Sequence, residues 1–276
     1  MLGAIASTAL AGCDVRRTVA RALGHGNTCV DVTLPSTAGV RVIRGILLSE
    51  HVSVPMRYAV AIPEGLKQLD VVAYLLPGRG GTAEGALDDA GMSAALADHL
   101  RRGGAPLAIA AIDAGESYFH HRASGEDRFA AATVDLPLAV GHALGSEPRR
   151  EAIMGQSMGG FGALLAAETY PSRYRAVAVA GPAIFPSYDD ERRSVGDAFD
   201  SAADYAAHDV VAHAAVLRRV PVYVSVGRRD PFLPGVRQFA RALPSAQIDV
   251  RDGCHDDGFW RASAPALIAF VGRALG

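Results

Sequence analysis

A single lysine, Lys67, occurs in 276 residues; the other basic side chains are arginine. The formal net charge is -2, and the Arg-Arg pairs are scattered rather than striped along one face. No global field therefore favours nucleic acid or an anionic membrane surface. No apolar run reaches the ~18 residues that suggest a membrane-spanning helix. Cysteine is also scarce. Cys13, Cys29 and Cys254 are the three, and none lies in a C-x-x-C pair, so a zinc ribbon or a thioredoxin-type site has no support. Whether Cys29 and Cys254 pair is left open by the sequence. Cys254 stands beside His255 and reads as a small packing residue, not a nucleophile. Repeats and low-complexity linkers are absent as well. What is abundant is apolar surface: half of the residues are hydrophobic, ample for a sizeable core.

The order of segments gives a fold class. Residues 1–29 read as a leader. They begin with thirteen small and apolar residues, and Leu10-Ala11-Gly12-Cys13 resembles a bacterial lipobox, in which the cysteine is lipidated. No Lys or Arg precedes Cys13, whereas a signal peptide usually opens on a basic stretch. The expectation is an extracytoplasmic protein, membrane-anchored through Cys13; a cytoplasmic one with an ordinary N-terminus is the alternative. Residues 30–276 read as one domain. Residues 40–49 and 56–62 pattern as half-buried strands, and 70–76 as a buried one. A glycine-rich turn, Pro77-Gly78-Arg79-Gly80-Gly81, then leads to a helix over 87–101. A strand at 107–112, a helix at 130–144, and strands at 152–154, 176–180, 220–226 and 247–251 follow, with a closing helix over 264–275. Strands alternating with helices imply an α/β fold with a mostly parallel sheet covered on both faces. Residues 182–219 interrupt the rhythm and read equally as a small helical cap or as a solvated excursion.

The chemistry concentrates at Gly155-Gln156-Ser157-Met158-Gly159. An apolar run precedes it and an Ala/Leu-rich run follows, the strand–turn–helix setting of a nucleophile elbow. A Cβ at either flanking glycine would strike the neighbouring strand or helix. Ser157 would be the nucleophile, and the Met158 N–H, at a helix N-terminus, would face a developing oxyanion. A serine hydroxyl needs a base, and the base needs an orienting acid. In this architecture the order along the chain is Ser, acid, His. Ser157, Asp230 and His255 fall in that order, each just past the end of an expected strand. Asp197 and Asp200 stand as substitutes for the acid. His120-His121 suggests a metal, but adjacent histidines without partners at i+4 are poor ligand spacing, so a loop or pocket wall is expected there. His25, His51, His99, His142, His208 and His213 read as incidental. Gly78-x-Gly80-x-x-Ala83 loosely fits a dinucleotide fingerprint with Asp113 as its acid. The acid is too distant and two strands already precede the turn. No cofactor and no metal are expected.

Three stretches together resemble a known family. Gly155-Gln-Ser-Met-Gly-Gly-Phe-Gly-Ala, Gly227-Arg-Arg-Asp-Pro-Phe and Gly253-Cys-His-Asp-Asp-Gly-Phe-Trp-Arg261 are similar to the elbow, acid turn and histidine segment of the esterase branch of the α/β-hydrolases. That branch includes S-formylglutathione hydrolases and antigen 85 mycolyltransferases. Ser117-Tyr-Phe-His and Asp135-Leu136-Pro137 match in kind, and the resemblance spans about residues 30–275. It implies an α/β-hydrolase fold and a serine esterase working through an acyl-enzyme on a small-molecule ester. The roles it implies are Ser157 nucleophile, His255 base, Asp230 orienter, and the N–H groups of Arg79 and Met158 as oxyanion hole. Leu76-Pro-Gly-Arg departs from the family's more apolar oxyanion turn, and no acyl-trehalose signature is present. An acyltransferase on the same residues and a non-catalytic surface protein on the same fold are the rival expectations.

Overall fold

The computed structural model describes residues 29–66 and 68–276. The run ending at Cys13 and its expected lipid therefore lie outside the described residues. The hairpin Val40–Ser49 (β1) and Val52–Pro63 (β2) exposes part of β1 to water, as an edge strand does. The next strands differ. Val71–Leu76 (β3), Ala108–Ile112 (β4) and Val222–Gly227 (β7) are buried at every position, and Arg150–Gln156 (β5) and Tyr174–Ala180 (β6) nearly so. Strands that are apolar on both faces need cover on both faces, which is the condition of a parallel sheet. Gln247–Arg251 (β8) closes an eight-stranded sheet in the order β1-β2-β4-β3-β5-β6-β7-β8. β2 runs antiparallel to β1 and β4; every other pairing is parallel. The chain thus has the expected α/β-hydrolase architecture.

Period-two alternation divides the core between the two faces. Val72, Tyr74 and Leu76 of β3 belong to one cluster, and Val71, Ala73 and Leu75 to the other. Ala83–Leu87 (α1), Met92–Arg101 (α2) and the closing helix cover the second face. Leu136–Leu144 (α3), Met158–Thr169 (α4) and Leu233–Ala242 (α7) cover the first. Between β6 and β7 the segment 182–219 folds into Tyr188–Ser194 (α5), Ala202–Ala207 (α6) and a 3₁₀ turn, Ala214–Arg219. Phe185 and Phe199 in this segment pack against Tyr118, and Phe199 also against Phe161 of α4.

Helix boundaries depart from the sequence expectation in three places. The helix expected over 87–101 begins at Met92, and a separate short helix, α1, precedes it. Thr82 caps α1 through Gly85 N–H at 3.0 Å, and Gly91, at φ +77°, breaks the chain between them. The helix over 130–144 opens on a π-turn, Ala131–Asp135, in which the Thr133 hydroxyl donates to the Phe129 carbonyl at 2.8 Å. The closing helix is Asp257–Leu275 (α8), beginning seven residues before the expected start at 264. Pro265 lies inside it. A proline costs a helical hydrogen bond, but Phe259, Trp260, Leu267 and Ile268 on either side are buried. Their burial, about 1.5–3 kcal/mol each, outweighs the loss.

One buried group in this layer ties stability to pH. Glu168, in the last turn of α4, has both carboxyl oxygens buried without a partner among the described residues. Burial, with a smaller contribution from the Asp209 carboxylate, pushes its pKa up to about 9. A folded pKa above the unfolded one means that the folded state holds its proton while the unfolded chain loses it. The contribution is intact below the unfolded value near 4.5 and falls as pH rises toward 9. Glu168→Gln should therefore raise the melting temperature at pH 8 by roughly 2–4 °C and leave it unchanged at pH 4. Differential scanning calorimetry at both values checks this; an equal shift at both would remove the titration as its cause.

Candidate active site

β5 ends at Gln156 and α4 begins at Met158, so one residue turns the chain from sheet to helix. That residue, Ser157, has φ 53° and ψ -121° and is the one non-glycine residue at positive φ among the described residues. Such a conformation costs of order 1–3 kcal/mol and persists only where the surroundings enforce it. The enforcing contacts are backbone to backbone. A Cβ on Gly155 would strike the Gly159 carbonyl, and a Cβ on Gly159 the Leu76 carbonyl of β3. Ser157 N–H donates to the Ala180 carbonyl at 3.0 Å, and Ala183 N–H donates to the Ser157 carbonyl at 2.9 Å. The serine is thus held between the ends of β3 and β6 with its side chain above the sheet.

Asp230 and His255 come to the same place from the next two strand ends. After β7 the chain turns at Gly227, and Asp230 Oδ1 accepts the Phe232 N–H at 2.8 Å. That bond aims Oδ2 at His255, whose Nδ1 lies 2.9 Å away. His255 Nε2 is 2.7 Å from Ser157 Oγ. With Asp230 accepting at Nδ1–H, the lone pair of Nε2 faces the serine hydroxyl. Asp230 and His255 are 4% and 5% exposed, so water competes little for either contact. The imidazole sits between the edges of Phe232 and Trp260, with centroids 5.0 and 4.8 Å away, which limits its rotation. Two further ties steady its loop. Cys254 is disulfide-bonded to Cys29, with Cα atoms 5.6 Å apart. The Asp256 carboxylate caps α8 through Phe259 N–H at 2.9 Å and also accepts the Cys29 N–H at 2.9 Å.

Ser157 opens into a cleft of about 400 Å³, walled by Gly78, Tyr118, Val195, Phe232 and Trp260. A Cβ on Gly78 would lie 3.4 Å from Ser157 Cβ, so the glycine lets the backbone of this turn run directly alongside the serine. Gly80 N–H donates to Gly115 O at 2.6 Å and Gly81 N–H to Gly78 O at 2.9 Å. The N–H groups of Arg79 and Met158 have no acceptor among the described residues. Burial holds the Tyr118 phenol well above its ordinary pKa, so it stays neutral in the wall.

Other candidate residues lie elsewhere. Asp113 is engaged structurally: Oδ1 accepts the Ala83 N–H at 2.9 Å and Oδ2 pairs with Arg57 at 3.0 Å. Asp197 pairs with Arg79 at 2.9 Å, and Asp200 with Arg122 at 2.9 Å, so neither reaches His255. His121 is exposed and faces Asp127 at 3.4 Å. Sequence reasoning missed the side chain of Arg79, a residue that lines the cleft and pairs with Asp197 and, at 3.6 Å, Glu116. It also missed Glu191, fully buried, whose Oε1 accepts the Ala198 N–H at 2.9 Å. The Arg79 pairings have no local signal, because the partners stand 37 and 118 residues away.

The family model described as "Putative esterase" matches residues 50–266. The chain belongs to this esterase family. Solved structures of esterases and related proteins share its fold. A ferulic acid esterase superposes with a TM-score of 0.75 at 20% identity, over 88% of this chain and 100% of that one. An S-formylglutathione hydrolase from Agrobacterium tumefaciens gives 0.72 at 18% identity, over 91% and 100%. MPT51 of Mycobacterium tuberculosis gives 0.65 at 16%, over 86% and 99%. At such identities the likeness is one of fold. No curated protein matches the chain.

The disulfide beside His255 leads to a further expected outcome. Opening a native bridge commonly costs 2–5 kcal/mol, and here it also releases a tie on the loop that carries the imidazole. Cys29→Ser in this esterase should lower the melting temperature and reduce esterase turnover, both reproduced by dithiothreitol on the unaltered protein. Unchanged melting and turnover after reduction, with both thiols alkylated, would show that the bridge bears no load.

Proposed function

We propose that this esterase is a serine hydrolase that cleaves a carboxylic ester through an acyl-enzyme. The observation that carries the reading is the continuous contact Ser157 Oγ–His255 Nε2 and His255 Nδ1–Asp230 Oδ2, at 2.7 and 2.9 Å, on a strained turn beside a cleft. His255 takes the hydroxyl proton as Ser157 Oγ attacks the ester carbonyl. The negative charge moves to the carbonyl oxygen, which the N–H groups of Arg79 and Met158 stabilise. His255 then gives the proton to the leaving alcohol, and the acyl group stays on Ser157. Water repeats the sequence: it loses a proton to His255, attacks the acyl carbon, and the acid leaves as Ser157 recovers its proton. Asp230 accepts the Nδ1–H throughout, keeping the imidazole in the right tautomer and stabilising its charged form.

The cleft supports a small substrate. Its walls offer aromatic and short aliphatic contacts, and its lining also includes Arg79, Asp89 and Asp257. That combination suits a short or compact acyl group open to water better than a long lipid chain. The disulfide fits an oxidising compartment, which supports an extracytoplasmic location. Attachment of lipid at Cys13 rests on the sequence of residues 10–13 alone, and mass analysis of the N-terminus made in the native host tests it.

Ser157→Ala should abolish fluorophosphonate labelling and turnover of a p-nitrophenyl ester while leaving the far-ultraviolet circular dichroism unchanged. Asp230→Asn should lower kcat by up to about 10⁴-fold. Labelling that survives Ser157→Ala would overturn the assignment, and a protein that never labels would favour a non-catalytic binding role. Partitioning separates hydrolysis from acyl transfer. With a short-chain donor and millimolar trehalose or glycerol, free acid should dominate; new ester as the main product would make the protein an acyltransferase.

A further inference from the structure

His120 has no solvent exposure at its side chain, and both ring nitrogens face oxygen acceptors. Nε2 lies 2.9 Å from the Ala198 carbonyl; Nδ1 lies 3.1 Å from the His121 carbonyl and 3.6 Å from Asp204 Oδ1. A neutral imidazole has one N–H, so one nitrogen must set a lone pair against an oxygen.

Two residues at α6 complete the cluster. Asp204 and His208 are four positions apart, so they share one face of the helix and its C-terminal cap, the spacing by which helices present paired metal ligands. His208 Nδ1 lies 3.0 Å from Asp204 Oδ1 and 2.9 Å from the Asp204 carbonyl, again oxygens only. The ligand atoms of His120, Asp204 and His208 lie within 4.8 Å of one another. A tetrahedral zinc ion with bonds of about 2.0–2.1 Å holds its ligands roughly 3.3 Å apart. The separations of 3.0 and 3.6 Å from Asp204 Oδ1 to the two imidazoles bracket that value. The outer bonds also suit ligation. Ala198 accepts at His120 Nε2, and Asp200 N–H donates to Asp204 Oδ2 at 2.8 Å, so Asp204 Oδ1 remains to face His120 Nδ1, whose other oxygen neighbour is the His121 carbonyl. Metal-bound histidines and carboxylates are oriented in this way.

We propose that His120, Asp204 and His208 bind one divalent transition cation of the zinc class, with the fourth position open to water where Asp204 and His208 are partly exposed. Two imidazoles and one carboxylate suit zinc or a neighbouring transition ion better than calcium or magnesium. The ion removes the lone-pair conflict at His120 and ties the 115–127 loop to α6, across 84 and 88 residues of chain by residue number. It is a positioning site. Phe199 stacks on His120 at 5.1 Å and touches Tyr118, which walls the cleft, so the ion would hold that wall in place. The proposal does not depend on the esterase mechanism.

The test uses tag-free protein stripped with a chelator. Co²⁺ is added while the visible absorption of tetrahedral cobalt is followed, and Zn²⁺ is titrated against a chromogenic chelator. The expected result is one ion per chain, with a melting temperature that rises with Zn²⁺. Asp204→Asn and His208→Gln, both at partly exposed positions, should each weaken binding by about a hundredfold or more and abolish the rise. No stoichiometric uptake by the unaltered protein, or equal uptake in both variants, would overturn the proposal.

Discussion

The structure depends on how little room there is where β5 meets α4. Leu76 of β3 and the first turn of α4 approach so closely that only glycine fits at 155 and 159. Ser157 is left with a positive φ that it would not adopt alone. Its strain is carried by the sheet, because β5 is hydrogen-bonded between β3 and β6. A strained residue in a loop would relax; one fixed by backbone contacts on two sides keeps its hydroxyl raised. Everything else at the site is arranged around that fixed point.

His255 is positioned differently. No strand or helix contains it, and it is held by side-chain contacts: the Asp230 carboxylate, two aromatic edges, a disulfide and a helix cap. Each is modest; together they hold the ring and its loop where Nε2 lies 2.7 Å from Ser157 Oγ. Asp256 has two tasks, since one oxygen starts α8 and the other holds Cys29. The loop is therefore tied to the closing helix on one side and to the first described residues on the other.

The segment between β6 and β7 is joined to the body by polar contacts spaced along one seam. Arg79 reaches Asp197, Arg122 reaches Asp200 and the Asp197 carbonyl, and His120 reaches Ala198. The Arg122 guanidinium also holds the Asp200 carboxyl below its usual pKa, so that pair remains charged. An apolar segment would be kept by burial alone. This one is polar outside and aromatic inside, and it uses directional contacts that also define the wall of the cleft.

Patterns confined to a few neighbouring residues were legible without the structure. The sheet class followed from apolar runs alternating with helices, the elbow from two glycines around a serine, and the candidate acid and histidine from their places after successive strands. Those are local consequences of backbone sterics and strand burial. The early start of α8 was hidden because a proline is disfavoured inside a helix, and the buried neighbours that hold Pro265 within this one are seen only in the fold. The pairing of Cys29 with Cys254 stayed open because a disulfide needs two Cα atoms at a set distance, which spacing along the chain does not state. His208 looked incidental and His120 partnerless, since no local rule joins residues 88 positions apart. Sequence by itself determined which segments must be buried and which turns must be tight. Only the tertiary structure decided which polar side chains meet, because a hydrogen bond or an ion pair depends on separations of about 3 Å that the packing of whole elements creates.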